Sequence, residues 1–146
     1  MPSRVDFYIL DSSDEMNWLC CACRIAGKAY QQGMNVYMQV ESGDHAREVD
    51  RLLWTFHPTS FIPHEVLMQQ RSPVAPVLIG TGPAPDRWDS MLITLTREVP
   101  SDTNRFDRVA DLIINDEQHK LFGRERFRFY RNCGIEPNTH QISVNS

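Results

Sequence analysis

Apolar positions along this chain switch between a period of two and a period near 3.6, and the switches lay out alternating strands and helices. Val5–Leu10 (VDFYIL) is a short apolar run, partly β-branched and aromatic, and reads as a buried first strand. Asp11-Ser12-Ser13-Asp14 follows with side-chain oxygens suited to starting a helix. From Glu15 to Gln32, Leu19, Ala22, Cys23, Ala26 and Tyr30 recur at helical spacing, and Gly33 is placed to end that helix. Asn35–Val40 (NVYMQV) alternates and predicts a second strand. A strand–helix–strand opening of this kind pairs its strands in parallel.

The later pattern is more broken. Ser42 and Asp44 can start a second helix with Ala46, Val49 and Leu53 on one face, ending near Trp54. Pro58 and Pro63 predict an irregular loop over Thr55–Val66, and Gln69–Ser72 is a polar break. Val74–Gly80 reads as a strand, with Pro76 suggesting an edge or a bulge. Pro83 and Pro85 mark a turn, and Met91–Thr96 is a further strand. Arg108–Ile114 suits a strand, although a helix also fits. A last helix is expected from about Asp116 to Cys133, stopped by Gly134. The remainder, IEPNTHQISVNS, is a polar tail expected to dock loosely or fray. The pattern predicts an α/β fold: a three-layer α/β/α sandwich around a largely parallel sheet.

Composition changes this picture little. With 146 residues, 41% hydrophobic and 23% charged, the chain suits one domain over 1–146, with about 135–146 as its tail. There is no apolar run near the roughly 20 residues that cross a bilayer. The N-terminus lacks the apolar core of a signal peptide, so a cytoplasmic location is expected. Cys20, Cys21 and Cys23 crowd one helical turn, with Cys133 far away. That is not a disulfide framework, and small buried helix residues explain the three better than a redox or metal site.

Charge is more informative. Between His119 and Arg131 the sequence HKLFGRERFRFYR sets Lys120, Arg124, Arg126, Arg128 and Arg131 against the single acid Glu125, in a chain of net charge −4. A basic patch on an acidic body favours a small anionic partner over a long polyanion. At 3.6 residues per turn, Lys120, Arg124, Phe127, Arg128 and Arg131 form one stripe, with Leu121, Phe122 and Phe129 free to turn toward the sheet. Cations interleaved with an aromatic suit an acidic peptide that ends in an apolar residue and a carboxylate. A solvated helix face is the plain alternative.

The usual chemistries fit poorly. Gly80-Thr81-Gly82 leads into Pro83, Ala84 and Pro85, without the lysine, hydroxyl or helix start of a phosphate loop. Ser60 with His64 lies in no nucleophile elbow. His45, His57, His64, His119 and His140 lack metal-binding spacing, and no paired carboxylates stand out. A small nucleotide-using enzyme working at the sheet crevice, or a direct single-stranded nucleic-acid binder using the basic helix, remain as alternatives. The second notable segment is aromatic: Trp54, Phe56, Phe61 and Ile62 crowd a Pro-containing stretch, where Trp54 and Phe61 suit either core or protein contact.

The opening VDFYIL-D, the LLW…SFIPH segment and the ending GRERFRFYRNCG, in that order and spacing, resemble the chi-subunit family of bacterial DNA polymerase III, part of the clamp-loader assembly. The resemblance spans nearly the whole chain. It implies a Rossmann-like α/β/α fold with no catalysis and no cofactor or metal. It implies docking of the acidic C-terminal tail of single-stranded-DNA-binding protein, which carries aspartates and ends in Pro-Phe. Matched by position, Lys120, Arg124, Phe127 and Arg128 form the tail pocket, with Ile113 and Gly134 near its edges and Arg124 on the terminal carboxylate. Phe127 stands where the family is expected to have Tyr, which keeps an apolar wall and loses a hydroxyl. The same likeness implies a psi-like clamp-loader subunit bound at Trp54 and Phe61, and contact with DNA only through partners.

Overall fold

The computed structural model describes residues 2–55, 61–68 and 72–143. Its elements in chain order are β1 (Arg4–Leu10), α1 (Glu15–Gln31), β2 (Val36–Val40), α2 (Gly43–Thr55), β3 (His64–Val66), β4 (Val77–Gly80), β5 (Met91–Leu95), β6 (Arg108–Ile113), α3 (Glu117–Asn132) and β7 (Asn138–Ile142). The strands form one seven-stranded sheet in the order β3-β4-β2-β5-β6-β1-β7, and each described pairing is parallel. The helices form the outer layers, so the architecture is the expected α/β/α sandwich.

The local signals read from sequence operate as expected at α1. Asp14 Oδ1 accepts the backbone N–H of Met16 at 2.9 Å, and Gly33 adopts φ +81°, the left-handed conformation that ends helices. Helices α1 and α2 cover one face of the sheet, where Leu19, Ala22, Ala26, Val49 and Leu53 pack on Met38, Ile79 and Ile93. Cys21 and Cys23 are buried there and Cys20 is half-buried. Burial pushes the Cys23 thiol up to about 12. On the opposite face, α3 and the loops carrying Trp88 and Phe106 pack on Phe7, Tyr37, Leu92 and Val109.

Three expectations need correction. The segment 55–66 is not wholly irregular, because His64–Val66 forms the edge strand β3 against β4; Phe56, His57 and Ser60, and most of the polar break at 69–72, lie outside the described residues. Pro76 marks neither an edge nor a bulge. It immediately precedes β4, an interior strand, where its missing N–H costs no ladder bond and its carbonyl accepts the Val36 N–H at 2.8 Å. The tail does not fray over Asn138–Ile142: that stretch is β7, the sheet edge beside β1. Charge adds to the backbone pairing that fastens it. Buried Asp6 on β1 faces His140 Nε2 at 2.8 Å and Arg4 Nε at 2.9 Å. Burial works to raise the Asp6 carboxyl, but hydrogen bonds from His140 and Arg4 outweigh it and hold the group below its ordinary value.

Candidate functional site

Helix α3 is fixed at both ends and in the middle. Asp116 Oδ2 accepts the His119 N–H at 3.1 Å, and Gly134, at φ +89°, turns the chain out after Cys133. The middle is held by Arg126, which forks onto Asp111 of β6 through Nε at 2.7 Å and Nη2 at 3.0 Å and donates from Nη1 to the Arg97 carbonyl at 2.9 Å. Both side chains are buried. Burial pushes the Asp111 carboxyl up, against the pull of Arg126. One cation of the basic segment is therefore internal. Its cue in the sequence is an acid inside the apolar strand RVADLI.

That anchor sets the rotation of α3 and overturns one expectation. Gly123, Arg126 and Tyr130 form the buried face, with Phe127 packed partly against the same core. Leu121 and Phe129 do not turn to the sheet; they are 51% and 47% exposed. Phe122 is half-buried, with the Arg97 guanidinium 4.2 Å above its ring.

Between α3 and strands β6, β1 and β7 lies a cleft of about 590 Å³. Phe7 and Ile9 of β1 and Ile113 of β6 supply apolar lining, and Thr139 of β7 lines the edge side. Phe127 closes over the floor, its ring centroid 5.1 Å from that of Phe7. Lys120, Arg124, Arg128 and Arg131 stand around it from the helix side. Arg131 reaches exposed Glu136 at 3.2 Å. Lys120, Arg124 and Arg128 have no carboxylate partner among the described residues. Thus Ile113, Lys120, Arg124, Phe127 and Arg128 converge on one cleft, whereas Gly134 is exposed beyond the helix end and does not line it. Phe7, Ile9, Gly123, Asn132 and Thr139 line the cleft without having been singled out in the sequence. Alternation along β1 was the available signal for Phe7 and Ile9. None was available for Thr139, because its strand is polar. The cleft joins uncompensated positive charge to an apolar floor, which is the chemistry of a carboxylate attached to a large apolar group.

The aromatic segment resolves by residue. Ile62 is core at 5% exposure, while Trp54 and Phe61 are 59% and 58% exposed. Their ring centroids lie 5.2 Å apart, and the Trp54 ring meets buried His64 edge-on at 5.0 Å. The His64 ring is held by Nδ1 against the Ile62 carbonyl at 2.7 Å. Two large exposed aromatics on a fixed support form a compact apolar patch, separate from the cleft.

The remaining chemical candidates have local roles. A Cβ at Gly80 would collide with the Tyr37 ring, whose hydroxyl donates to the Gly82 carbonyl. Gly80 thus makes room for a tyrosine. His119 packs edge-on to Trp18 at 4.7 Å, and burial pushes its imidazole down. No three His, Cys, Asp or Glu among the described residues are grouped to hold a metal ion. No described helix is long and apolar enough to cross a membrane.

Comparison with known proteins gives a consistent result. The family model described as "DNA polymerase III chi subunit, HolC" matches residues 1–138. The DNA polymerase III subunit chi of Pseudomonas aeruginosa is 38% identical over 140 residues, covering 96% of this chain and 97% of its own. The subunit chi of Escherichia coli is 28% identical over 141 residues, covering 91% and 94%. That of Haemophilus influenzae is 27% identical over 143 residues, covering 97% and 99%.

Proposed function

This chain belongs to the DNA polymerase III chi subunit family, a replication accessory subunit with protein partners in the holoenzyme, and from that premise we propose that it is an adaptor acting as one domain in the cytoplasm. It captures the acidic C-terminal tail of single-stranded-DNA-binding protein in the α3 cleft and so reaches DNA only indirectly. It performs no catalysis of its own. The observation that carries this reading is the set Lys120, Arg124 and Arg128, unpaired among the described residues, around the floor of Phe7, Ile113 and Phe127. Charge steers the aspartate-bearing tail inward; an arginine, Arg124 by position in the family, forks onto the terminal carboxylate while the final Phe lies on the apolar floor. Gly134 contributes by ending α3 where the cleft ends.

The test is a titration of the protein with the C-terminal peptide of its own single-stranded-DNA-binding protein, with and without the final Phe. Binding is expected only for the full peptide, and it should weaken as salt rises because the cations are exposed. Equal affinity for both peptides would remove the basis for the cleft.

The Trp54–Phe61 patch supports a second contact, with a psi-like subunit that links the chain to the clamp loader. Two exposed aromatics in ring contact match what binding hot spots are made of. Phe61→Ala should weaken that subunit's binding and leave peptide affinity unchanged. A joint loss of both would show that the two surfaces are not independent.

A further inference from the structure

Gly123 lies in the interior of α3, where glycine forfeits helix stability relative to alanine. A spatial reason is visible. A Cβ at position 123 would fall well inside contact distance of Ile113 Cδ1 and 3.0 Å from its Cγ1. Something would have to shift, either the helix or the isoleucine. The helix is pinned close by, through the Arg126 fork on Asp111 and the bond to the Arg97 carbonyl. Ile113 is held only by packing. Ile113 also belongs to the buried cluster that holds Val109 and Tyr130, each at most 1% exposed, and a close-packed interior has no room for a displaced methyl. The open space is the cleft, which Gly123 and Ile113 both line.

We infer that Gly123 and Ile113 act together as a specificity-determining pair. The missing side chain at 123 lets Ile113 lie back against α3, and this keeps the apolar end of the cleft deep enough for a large terminal side chain. With a Cβ at 123, the Ile113 methyl is driven into the space that side chain needs, while the cations that meet the carboxylate stay in place. The inference rests on the tail-binding reading of the cleft and adds to it a rule of size.

The experiment compares two peptides of one acidic sequence, ending in Pro-Phe and in Pro-Ala, by calorimetric titration against the full chain. The wild type is expected to prefer the Phe-ended peptide by about tenfold or more, the scale on which a pocket separates side chains of different size. Gly123→Ala should lower that preference to less than about threefold by weakening the Phe-ended peptide alone, with the gain from the better helix former set against the crowding of Ile113 in thermal stability. Adding Ile113→Val, which removes the displaced Cδ1, should restore most of the preference. Wild-type preference kept in Gly123→Ala, or no recovery in the double variant, would overturn the pair while leaving tail binding intact. A wild type that binds neither peptide would overturn both. If Gly123→Ala does not fold, Ile113→Met carries the test by extending into the cleft from the strand side. It should lose the preference in the same way, and retention of the preference there also overturns the inference.

Discussion

The two faces of the sheet solve the same burial problem with different material. Under α1 and α2 the contacts are mostly small and aliphatic: alanines and cysteines of α1 and Val49 and Leu53 of α2 lie on the strands, with Trp18 the large exception. Under α3 a single helix must serve the other face. It sits over β6 and β1, is clamped by an internal Arg–Asp pair, and leaves the strip toward β7 open as the cleft. On the side with two helices the exposed large aromatics, Trp54 and Phe61, sit at the C-terminal end of α2 and just after it. On the face with one helix the opening is the cleft, and there Lys120, Arg124 and Arg128 find no acid among the described residues. The candidate site is thus a consequence of incomplete coverage, placed beside the charged anchor that fixes the helix forming its wall.

The comparison breaks most visibly at the anchor. Arg126→Met should destabilise the protein by about 3–5 kcal/mol, because it leaves a buried carboxylate without its partner. Urea unfolding would measure this, and a loss within error of zero would mean that the pair does not fix α3. Next is the cleft itself. Arg124→Ala should cost about 1.5–3 kcal/mol of affinity for the Phe-ended peptide if its charged hydrogen bond is desolvated on binding. Urea stability should change little, since Arg124 is exposed. The two substitutions, nearly adjacent in sequence, therefore separate fold from function.

The subtlest distinction concerns pH at the β7 edge. Asp6 is held below its ordinary value by His140 and Arg4. A carboxylate lowered in the folded state contributes stability that is fully present above its unfolded pKa, about 4, and is lost as pH falls through the lower folded value. Stability should therefore decline on acidification below about pH 4, and Asp6→Asn should flatten that part of the profile. An unchanged acid slope in Asp6→Asn would remove Asp6 as the group that fastens β7.

Most of this architecture was legible because burial imposes period. The α1 and α2 faces, β1, β2, β5 and the ends of α3 follow from apolar spacing and from Asp14, Gly33, Asp116 and Gly134. The exceptions share a cause. β7 (NTHQI) is an edge strand whose residues are exposed or half-buried, so its membership of the sheet rests on backbone pairing and on Asp6, far away in sequence. In α3, an apolar-inside reading turns Leu121 and Phe129 inward, but the buried Arg126 rotates them out. Nothing in a run of arginines marks which one is internal until Asp111 is brought opposite it.

The sequence by itself determined the alternation of strands and helices, the parallel sheet, the basic stripe with its aromatic and the family resemblance, because each is carried by neighbouring residues or by spacing along one element. Tertiary structure alone decided which cations stay free, which aromatics face solvent, and that Phe7, Ile113 and Thr139 share a cleft with α3. Those outcomes depend on pairs such as Arg126 with Asp111 and Gly123 with Ile113. Their partners are remote along the chain, and only packing brings them into contact.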